Sequence, residues 1–285
     1  MIFIIKMIHP SSFTPDNQMN SLRKSIPENI AVKVFKTVMS EFRHRDKYIQ
    51  DDYRFCDRFK KLNSKKLAHL WAEKEARNLE RLESARIPCP EVVLLKKHIL
   101  FLRFIGNVSG TGGNSSSAAP KLSELNKSEL DEKIKIRMYQ QTVDIMKRMY
   151  KEAKLIHADL SEYNLLWHEN KVWVIDVAQA VEPNHPKALE LLYRDCCNVV
   201  KFFGGKMRVK EVLNSRQLFL QVCKLDLEIE VSEEFFDSDQ PSSKEIAEFT
   251  ASLEEVQRRA KDHADSKRDA GRLDDERVVS VEDNY

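Results

Sequence analysis

Two short apolar segments in the middle of the chain are joined by a polar break and bounded by an asparagine and an aspartate. The segments are Leu165–His168 and Val172–Ile175. Their length and their β-branched and aromatic content predict a β-hairpin. Centred on Asn170, such a hairpin sets Asn164 opposite Asp176. The sequence therefore predicts an amide and a carboxylate that converge on one point.

Oxygen ligands of these two kinds suit a hard cation such as Mg²⁺, which takes its remaining ligands from water and substrate phosphates. Asp159 lies on the loop just before the hairpin, where it can orient a hydroxyl or water in line with a transferred phosphoryl group. Core packing does not call for such polar groups. The pattern predicts a phosphoryl-transfer site with Asn164 and Asp176 as metal ligands.

A cation for the phosphates is available further upstream. Residues 30–36 alternate and are β-branched, which predicts a strand with Lys33 on one face and Val32 and Val34 on the other. The lysine sits as in the kinase V-A-I-K pattern, where it contacts the phosphates and pairs with a helical glutamate. We predict Glu75 as that partner.

The order of elements is typical of a kinase N-terminal lobe. Residues 63–85 carry apolar side chains at helical spacing and predict a long amphipathic helix, and residues 92–95 and 99–105 predict two further strands. Four of the chain's seven glycines fall within residues 106–119, which predicts a flexible linker. Helical patterns follow at 128–155, 187–203, 211–224 and 243–262. The predicted division is a mobile lead-in at 1–27, an N-terminal lobe at 28–106, a linker at 107–120, a C-terminal lobe at 121–230, and a helical then disordered charged tail at 231–285.

The central motif resembles the catalytic and metal loops of RIO kinases. The resemblance lies in the run His157-Ala158-Asp159-Leu160-Ser161-Glu162-Tyr163-Asn164, in Ile175-Asp176-Val177 and in Arg194-Asp195-Cys196. Upstream, Trp71-Ala72-Glu73-Lys74-Glu75 and Ile87-Pro88-Cys89-Pro90 resemble the third RIO subfamily. The similarity extends over roughly residues 28 to 225.

The resemblance implies an α+β, bilobal, kinase-like fold and an atypical serine/threonine kinase or ATPase that uses Mg²⁺ and ATP. It implies that Asp159 is the catalytic aspartate and that the phosphoryl group can pass to Asp176. It also implies a hinge beside adenine at Leu102, Phe104 and Ile105. Members of the family act in the cytoplasm on precursors of the small ribosomal subunit, so the implied partner is such a particle.

The chain departs from the family in one respect. RIO kinases carry a glycine-containing phosphate loop before the lysine strand, whereas this sequence has no glycine before Gly106. Either the sequence is truncated at its start, which we expect, or the protein binds ATP weakly. The alternative to an active kinase is a catalytically weak or inactive assembly factor with a kinase fold on pre-ribosomal particles.

The overall composition does not indicate a nucleic-acid-binding or membrane protein, and only one local segment leaves RNA binding open. Lysine and arginine total 47 against 45 aspartate and glutamate, so there is no overall basic surface for nucleic acid. Residues 41–66 hold nine cations and five acids among aromatic residues, and this segment either contacts ribosomal RNA or forms a solvated face. The five cysteines fit no disulfide framework, which favours a reducing location, the cytoplasm or the nucleus; of the two, we predict the cytoplasm. The apolar start at residues 1–8 is too short to span a bilayer.

A transition-metal hydrolase is the remaining alternative, because His157, His168 and His185 occur near Asp159 and Asp176. The hairpin argues against it. In the predicted register His168 lies across from Val172, near the turn and far from Asp176.

Overall fold

A computed structural model describes residues 29–35, 64–107 and 117–223, together with Lys244, Glu248 and Ala251. The chain forms two compact units, Met1–Glu228 and Ile229–Tyr285. All the strands and helices given below lie in the first unit. The predicted lead-in at 1–27, residues 41–63 of the basic segment and most of the predicted tail lie outside the described residues.

The upstream part of the first unit is a small antiparallel sheet. Its strands are β1 (Ile30–Val34), β2 (Val92–Lys96) and β3 (Ile99–Arg103), in the order β1-β3-β2. Val32 pairs with Phe101 and lies in an apolar cluster with Ile30, whereas the next pair, Lys33 and Leu100, faces the other way because successive side chains alternate. The sheet therefore presents Lys33 on the face opposite its apolar cluster.

A long helix, α1 (Ser64–Ser84), packs against β2 and β3. Its side chains Trp71, Leu79 and Leu82 are almost completely buried, as the predicted amphipathic pattern requires. The helix ends in a Schellman motif, in which the left-handed Arg86 and the N–H of Ile87 close back on the last turn.

Two very short strands follow the sheet, β4 (Gly106–Asn107) and β5 (Ser117–Ala118), and they pair with each other. They are the two ends of the predicted linker, whose residues 108–116 lie outside the described ranges. A Cβ on Gly106 would come within 2.3 Å of the carbonyl oxygen of Ser117. Only glycine fits at this position, which holds the two ends of the linker together.

The downstream part is mainly helical. In chain order it contains a 3₁₀ turn (Leu122–Glu124), α2 (Glu132–Arg148), a π-helical turn (Met149–Ala153), the strands β6 (Leu165–His168) and β7 (Lys171–Val174), α3 (Ala188–Val200), a second π-helical turn (Lys201–Lys206) and α4 (Ser215–Cys223). Aromatic side chains from α2, α3, α4 and the second π-helical turn pack in its core, with ring pairs Tyr139–Phe203 and Tyr193–Phe219. No helix in the described ranges combines the length and the apolar character that a membrane crossing needs.

Capping side chains set the helix starts more narrowly than the sequence pattern suggests. The predicted helix at 128–155 begins at Glu132, because the carboxylate of Asp131 accepts the N–H of Lys133 at 2.9 Å. The predicted helix at 211–224 begins at Ser215, because the side chain of Asn214 accepts the N–H of Gln217 at 2.8 Å.

The hairpin of β6 and β7 exists, but its predicted register is wrong by one residue. Leu165 pairs with Val174 and His168 with Lys171, so Asn164 lies opposite Ile175 instead of Asp176. The turn is the two-residue pair at 169–170, with φ of 50° and 57°, and not a turn centred on Asn170. Positive φ at both residues is typical of a type I′ turn, whose twist matches that of the strands. The predicted pairing of His168 with Val172 is wrong for the same reason.

Candidate active site

Lys33, Glu75 and Asp176 meet in one buried cluster. The ammonium of Lys33 forms an ion pair with Oε2 of Glu75 and donates to Oδ1 of Asp176 at 2.9 Å. Lys33 comes from β1, Glu75 from α1 and Asp176 from the segment just after β7. Three elements that are distant in sequence thus deliver three predicted site residues to one point.

The cluster contains two carboxylates and one ammonium, so it carries a surplus negative charge when all three groups are ionised. Burial raises the pKa of Glu75 to about 7 although Lys33 opposes this shift, and the charge of Asp176 raises it further. Burial lowers the pKa of Lys33, but the charges of Glu75 and Asp176 outweigh it and leave that pKa raised. The site therefore favours an added positive charge.

The hairpin carries Asn164 to the same region. The N–H of Ile175 donates to the carbonyl oxygen of Asn164 at 3.0 Å, and Asp176 is the next residue along the chain. The amide nitrogen of Asn164 donates to the carbonyl oxygen of Asp159 at 2.8 Å. This bond leaves the amide oxygen as the atom of Asn164 that can bind a cation. An amide oxygen and a carboxylate are the donors that Mg²⁺ prefers.

Asp159 lies on the exposed side of this arrangement. Its residue surface is exposed to solvent, unlike that of its neighbours Ala158 and Leu160, which are buried. Its Oδ2 is 3.5 Å from the amide nitrogen of Gln179. A carboxylate on the exposed side of a loop is accessible to an incoming hydroxyl group, and the role of Asp159 as the catalytic aspartate stays a prediction.

The loop that contains Asp159 is held by a residue that the sequence pattern did not mark as functional. Asp195, on α3, is 1% exposed, and its carboxylate accepts the N–H groups of Ala158 and Leu160 at 2.8 Å each. These two residues flank Asp159. Burial raises the pKa of Asp195 to about 6, against the opposing effects of His157, of these two hydrogen bonds and of Arg194. The Arg194-Asp195-Cys196 run was part of the family resemblance, but no local pattern indicated this role.

His157 connects the same loop to the segment that contains Asp176. Its Nε2 is 3.1 Å from the carbonyl oxygen of Ile175, the residue before Asp176. A carbonyl can only accept, so Nε2 is the nitrogen that carries the proton. The two residues that this contact joins are close in sequence to the predicted site: His157 lies two residues before Asp159, and Ile175 directly precedes Asp176.

The three histidines of the hydrolase alternative are engaged in separate places. Besides the contact of His157, Nδ1 of His185 accepts the N–H of Lys187 at 3.1 Å, and Nε2 of His168 is 3.7 Å from the carboxylate of Glu169. The described residues contain no group of three or more His, Cys, Asp or Glu side chains that could hold a metal ion.

The predicted hinge continues from β3. Leu102 pairs with Ala31 in the sheet, and the pair of Lys33 and Leu100 lies two positions away. Because side chains two positions apart share a face, the buried side chain of Leu102 lies on the same face as Lys33. Phe104 is half-buried, and Ile105 is buried with its carbonyl oxygen bonded to the N–H of Ala119. The predicted hinge residues thus lie at one edge of the face that bears the lysine.

Helix α1, which carries Glu75, is bound to the downstream part at three points. The amide nitrogen of Asn78 donates to the carbonyl oxygen of Val177 at 2.8 Å, one residue after Asp176. Arg81 forms an ion pair with Glu182 and donates to the carbonyl oxygen of Ala153 at 2.9 Å. Arg148 donates to the carbonyl oxygen of Ala85. These bonds fix the helix relative to the segment that contains Asp176.

A family model described as the RIO domain matches residues 16–217 of this chain. The chain belongs to the RIO family. Membership confirms the predicted α+β, bilobal, kinase-like fold.

Two curated relatives named serine/threonine-protein kinase RIO3, from Mus musculus and Homo sapiens, are each 48% identical to this RIO chain, over 242 and 244 residues. The Homo sapiens serine/threonine-protein kinase RIO1 is 44% identical over 193 residues. The higher identity to RIO3 agrees with the predicted resemblance to the third subfamily.

The RIO3 matches cover 84% of this chain and 41% of each relative, so the chain spans about two fifths of their length. The RIO1 match covers 67% of this chain and 32% of the relative. Among solved structures, the Rio2 kinase from Chaetomium thermophilum aligns with a TM-score of 0.48 at 18% identity, over 81% of this chain and 66% of that one. Its ADP/Mg²⁺-phosphoaspartate complex aligns with a TM-score of 0.46 at 16% identity, over 80% and 65%.

Proposed function

We propose that this RIO chain is an ATP-dependent phosphotransferase that acts on serine or threonine hydroxyl groups. The observation that carries the proposal is the contact of Lys33 with both Glu75 and Asp176. In phosphoryl transfer, catalysis consists mainly of positioning and of stabilising charge on the phosphates. A lysine fixed by one carboxylate and adjacent to a second, metal-binding carboxylate supplies both.

Each residue has a role that follows from its place. Lys33 binds phosphate oxygens, Asn164 and Asp176 hold Mg²⁺, and Asp159 accepts the proton of the attacking hydroxyl. Bound Mg²⁺ would neutralise charge on the phosphates. Leu102, Phe104 and Ile105 form the proposed adenine-side hinge.

Asp176 also suggests a second course for the reaction. In the ATPase form that the family resemblance implies, a carboxylate oxygen of Asp176 forms a bond to the γ-phosphorus while the bond to the oxygen of ADP breaks. Water then hydrolyses the aspartyl phosphate. An acyl phosphate of this kind is sensitive to hydroxylamine, so labelled phosphate on the protein that hydroxylamine removes distinguishes it from phosphoserine.

A second candidate function is a kinase-shaped assembly factor that turns over little or no ATP. It is favoured by the composition of residues 1–105, which contain no glycine and so no glycine-rich phosphate loop ahead of Lys33. Under either function we propose pre-ribosomal small-subunit particles as the partner and the cytoplasm as the location, both from the family resemblance. Contact with ribosomal RNA through residues 41–66 belongs to the same proposal.

ATP turnover with Mg²⁺ by the purified chain separates the two candidates. We expect the Asp176→Asn variant to lose activity by roughly two to three orders of magnitude, because it loses the carboxylate that would hold Mg²⁺ at the reacting phosphates. The Lys171→Gln variant, which changes an exposed lysine at the far end of the hairpin, is the matched control. Equal background turnover in all three proteins would leave the assembly-factor function.

A further inference from the structure

Tyr163 is the one large hydrophobic side chain that the described residues leave exposed, with 57% of its surface accessible. A single exposed tyrosine is ordinary on a protein surface. Its position is not, because it falls between the exposed Asp159 and the proposed metal ligand Asn164. An aromatic ring at the side of a catalytic aspartate is available to contact whatever brings the acceptor hydroxyl to that aspartate.

The loop that bears Tyr163 is held firmly. The two N–H groups bonded to Asp195 fix its start, and the bond from the Asn164 side chain to the Asp159 carbonyl fixes its end. Glu162, immediately before Tyr163, is 8% exposed. The ring therefore projects from a preorganised backbone, so contact with it costs little further ordering.

A cation is bound to Glu162, the residue before Tyr163. The ammonium of Lys206 bonds to Oε1 of Glu162 at 2.5 Å, and 46% of the Lys206 side chain is exposed. The hydrogen bond to Glu162 is the largest of the effects that raise the pKa of Lys206, and Tyr163 is also close enough to contribute. Lys206 is thus a partly exposed ammonium, paired with Glu162, at the rim of the loop that contains Asp159.

Further cations surround Lys206 in sequence. Lys201, Arg208 and Lys210 are all exposed, and none of them has an ion-pair partner in the part of the chain that the structure describes. Glu211 is the single acid in residues 201–211. This short segment, which begins directly after α3, is a local basic surface on a chain whose overall charge is nearly balanced.

We propose that the acceptor is a serine or threonine in an acidic peptide segment. The ring of Tyr163 packs on the segment next to the hydroxyl, and Lys206 and Arg208 pair with flanking carboxylates. This inference rests on the proposed phosphotransferase function. It goes beyond that function because it names the charge of the substrate and the residues that select it. A single-stranded RNA would also combine stacking bases with negative charge. Under the proposed function, however, the acceptor hydroxyl belongs to a serine or threonine, which favours a peptide.

The test measures kcat/KM with Mg²⁺ and ATP on three peptides that share a central serine flanked by glutamate, glutamine or lysine. We expect the glutamate peptide to exceed the lysine peptide by roughly tenfold, as two or three exposed ion pairs would give. High salt reduces this ratio by screening. Acceptor-free ATP turnover of the unmodified chain is measured alongside. If ATP is turned over neither without acceptor nor with any of the peptides, the proposed function fails; if ATP is turned over and the three peptides are equal, only the acidic-peptide inference fails.

Variants connect the preference to the named residues. The double variant Lys206→Gln with Arg208→Gln keeps a donor for Glu162 and removes both charges, so the glutamate-to-lysine ratio falls toward one. Tyr163→Ala raises KM for all three peptides, and Tyr163→Phe, which keeps the ring, raises it less. Lys171→Gln leaves the ratio unchanged. Thermal melting of each variant separates loss of fold from loss of selection.

Binding of fluorescent peptides, measured by anisotropy, gives a readout that does not need turnover. We expect the glutamate peptide to bind more tightly than the lysine peptide, and the double variant to abolish the difference. The proposal is overturned if both peptides bind equally. It is also overturned if a single-stranded RNA oligonucleotide binds more tightly than the glutamate peptide and depends on Tyr163 and Lys206.

Discussion

At the scale of single residues, two of the nine non-glycine residues with positive φ in the described part of the chain lie at the candidate site. Ala158 and Asp176 have φ of 66° and 60°, in a region that residues other than glycine rarely adopt. Ala158 directly precedes Asp159, the proposed catalytic residue, and Asp176 is itself a proposed metal ligand. Such strain costs about 1–3 kcal/mol per residue and persists only where the surroundings enforce it. At Ala158 the enforcing contacts are those of Asp195 and of Arg194, which donates to the Ala158 carbonyl at 2.8 Å.

The first prediction concerns Asp195. An asparagine in its place offers one acceptor oxygen and an amide that opposes a backbone N–H, so one of the two loop donors loses its partner. A buried unsatisfied donor costs about 1–3 kcal/mol. If this free energy destabilises the loop conformation that positions Asp159, Asp195→Asn lowers kcat by roughly ten- to a hundredfold.

The binding of ATP should change much less, because Lys33 and Asp176 do not contact this residue. Steady-state kinetics give kcat and KM for ATP separately, and the Asp144→Asn variant, at an exposed position on α2, is the control. An unchanged kcat would show that the two hydrogen bonds do not position Asp159.

The second prediction concerns pH and Glu75. The folded-state pKa is raised to about 7 from an ordinary value of 4.5, so the folded protein keeps a proton that the unfolded chain releases. The stabilisation from this group is therefore complete below about pH 4.5 and is lost as the pH rises to about 7. Glu75→Gln removes this dependence.

Urea unfolding at pH 5 and at pH 8 tests this sign. We expect the free energy of unfolding of the unmodified chain to fall, relative to that of Glu75→Gln, between the two pH values. The raised pKa of Glu75 would be contradicted if the difference in the free energy of unfolding between the two proteins were the same at both pH values, or if it changed in the opposite direction.

At the scale of elements, the helix that carries Glu75 is fixed by bonds to the downstream part and not by the sheet alone. Asn78 is 0% exposed and bonds to the carbonyl of Val177, next to Asp176. Because one turn of α1 contacts both Lys33 and the Asp176 segment, movement of the helix would separate all three members of the cluster together. The catalytic arrangement thus depends on this helix as a unit.

The third prediction tests that dependence. Asn78→Ala leaves the Val177 carbonyl without this donor in a buried place, and we expect a loss of about 1–3 kcal/mol in the free energy of unfolding. Arg77→Ala is the matched control on the same helix. Its side chain is 52% exposed and pairs with Glu73, so it should cost only a few tenths of a kcal/mol. Denaturant unfolding of both variants provides the measurement, and equal costs would contradict the account.

The hairpin shows how far sequence reasoning reaches at this scale. Its two strands, the strand-helix-strand-strand order upstream and the long helix with Glu75 were predictable, because hydrophobic periodicity carries that information. The register was not, because residues 169–170 are Glu-Asn, which lack the Asn-Gly or Asp-Gly signal of a type I′ turn. Asp195 could not be assigned a role either, because its partners are backbone N–H groups more than thirty residues away.

At the scale of the whole molecule, the candidate site is built from segments that are far apart in the sequence. The sheet face with Lys33, the edge with Leu102 and the loop with Asp159 and Asn164 belong to one compact unit, Met1–Glu228. Phosphoryl transfer requires a nucleotide side and an acceptor side. In the proposed function, the buried Lys33 cluster serves the nucleotide side, and the exposed Tyr163 with its neighbouring cations serves the acceptor side.

The central claim is that the cluster of Lys33, Glu75 and Asp176 binds a nucleotide together with Mg²⁺. Calorimetric titration with a non-hydrolysable ATP analogue, with Mg²⁺ and with a chelator, tests it most directly in the unmodified chain, in Asp176→Asn and in the Lys171→Gln control. We predict that Mg²⁺ tightens binding at least about tenfold in the unmodified chain and in the control, and that Asp176→Asn loses this gain because it lacks the metal-binding carboxylate. The same affinity in all three proteins, with or without Mg²⁺, would contradict the account.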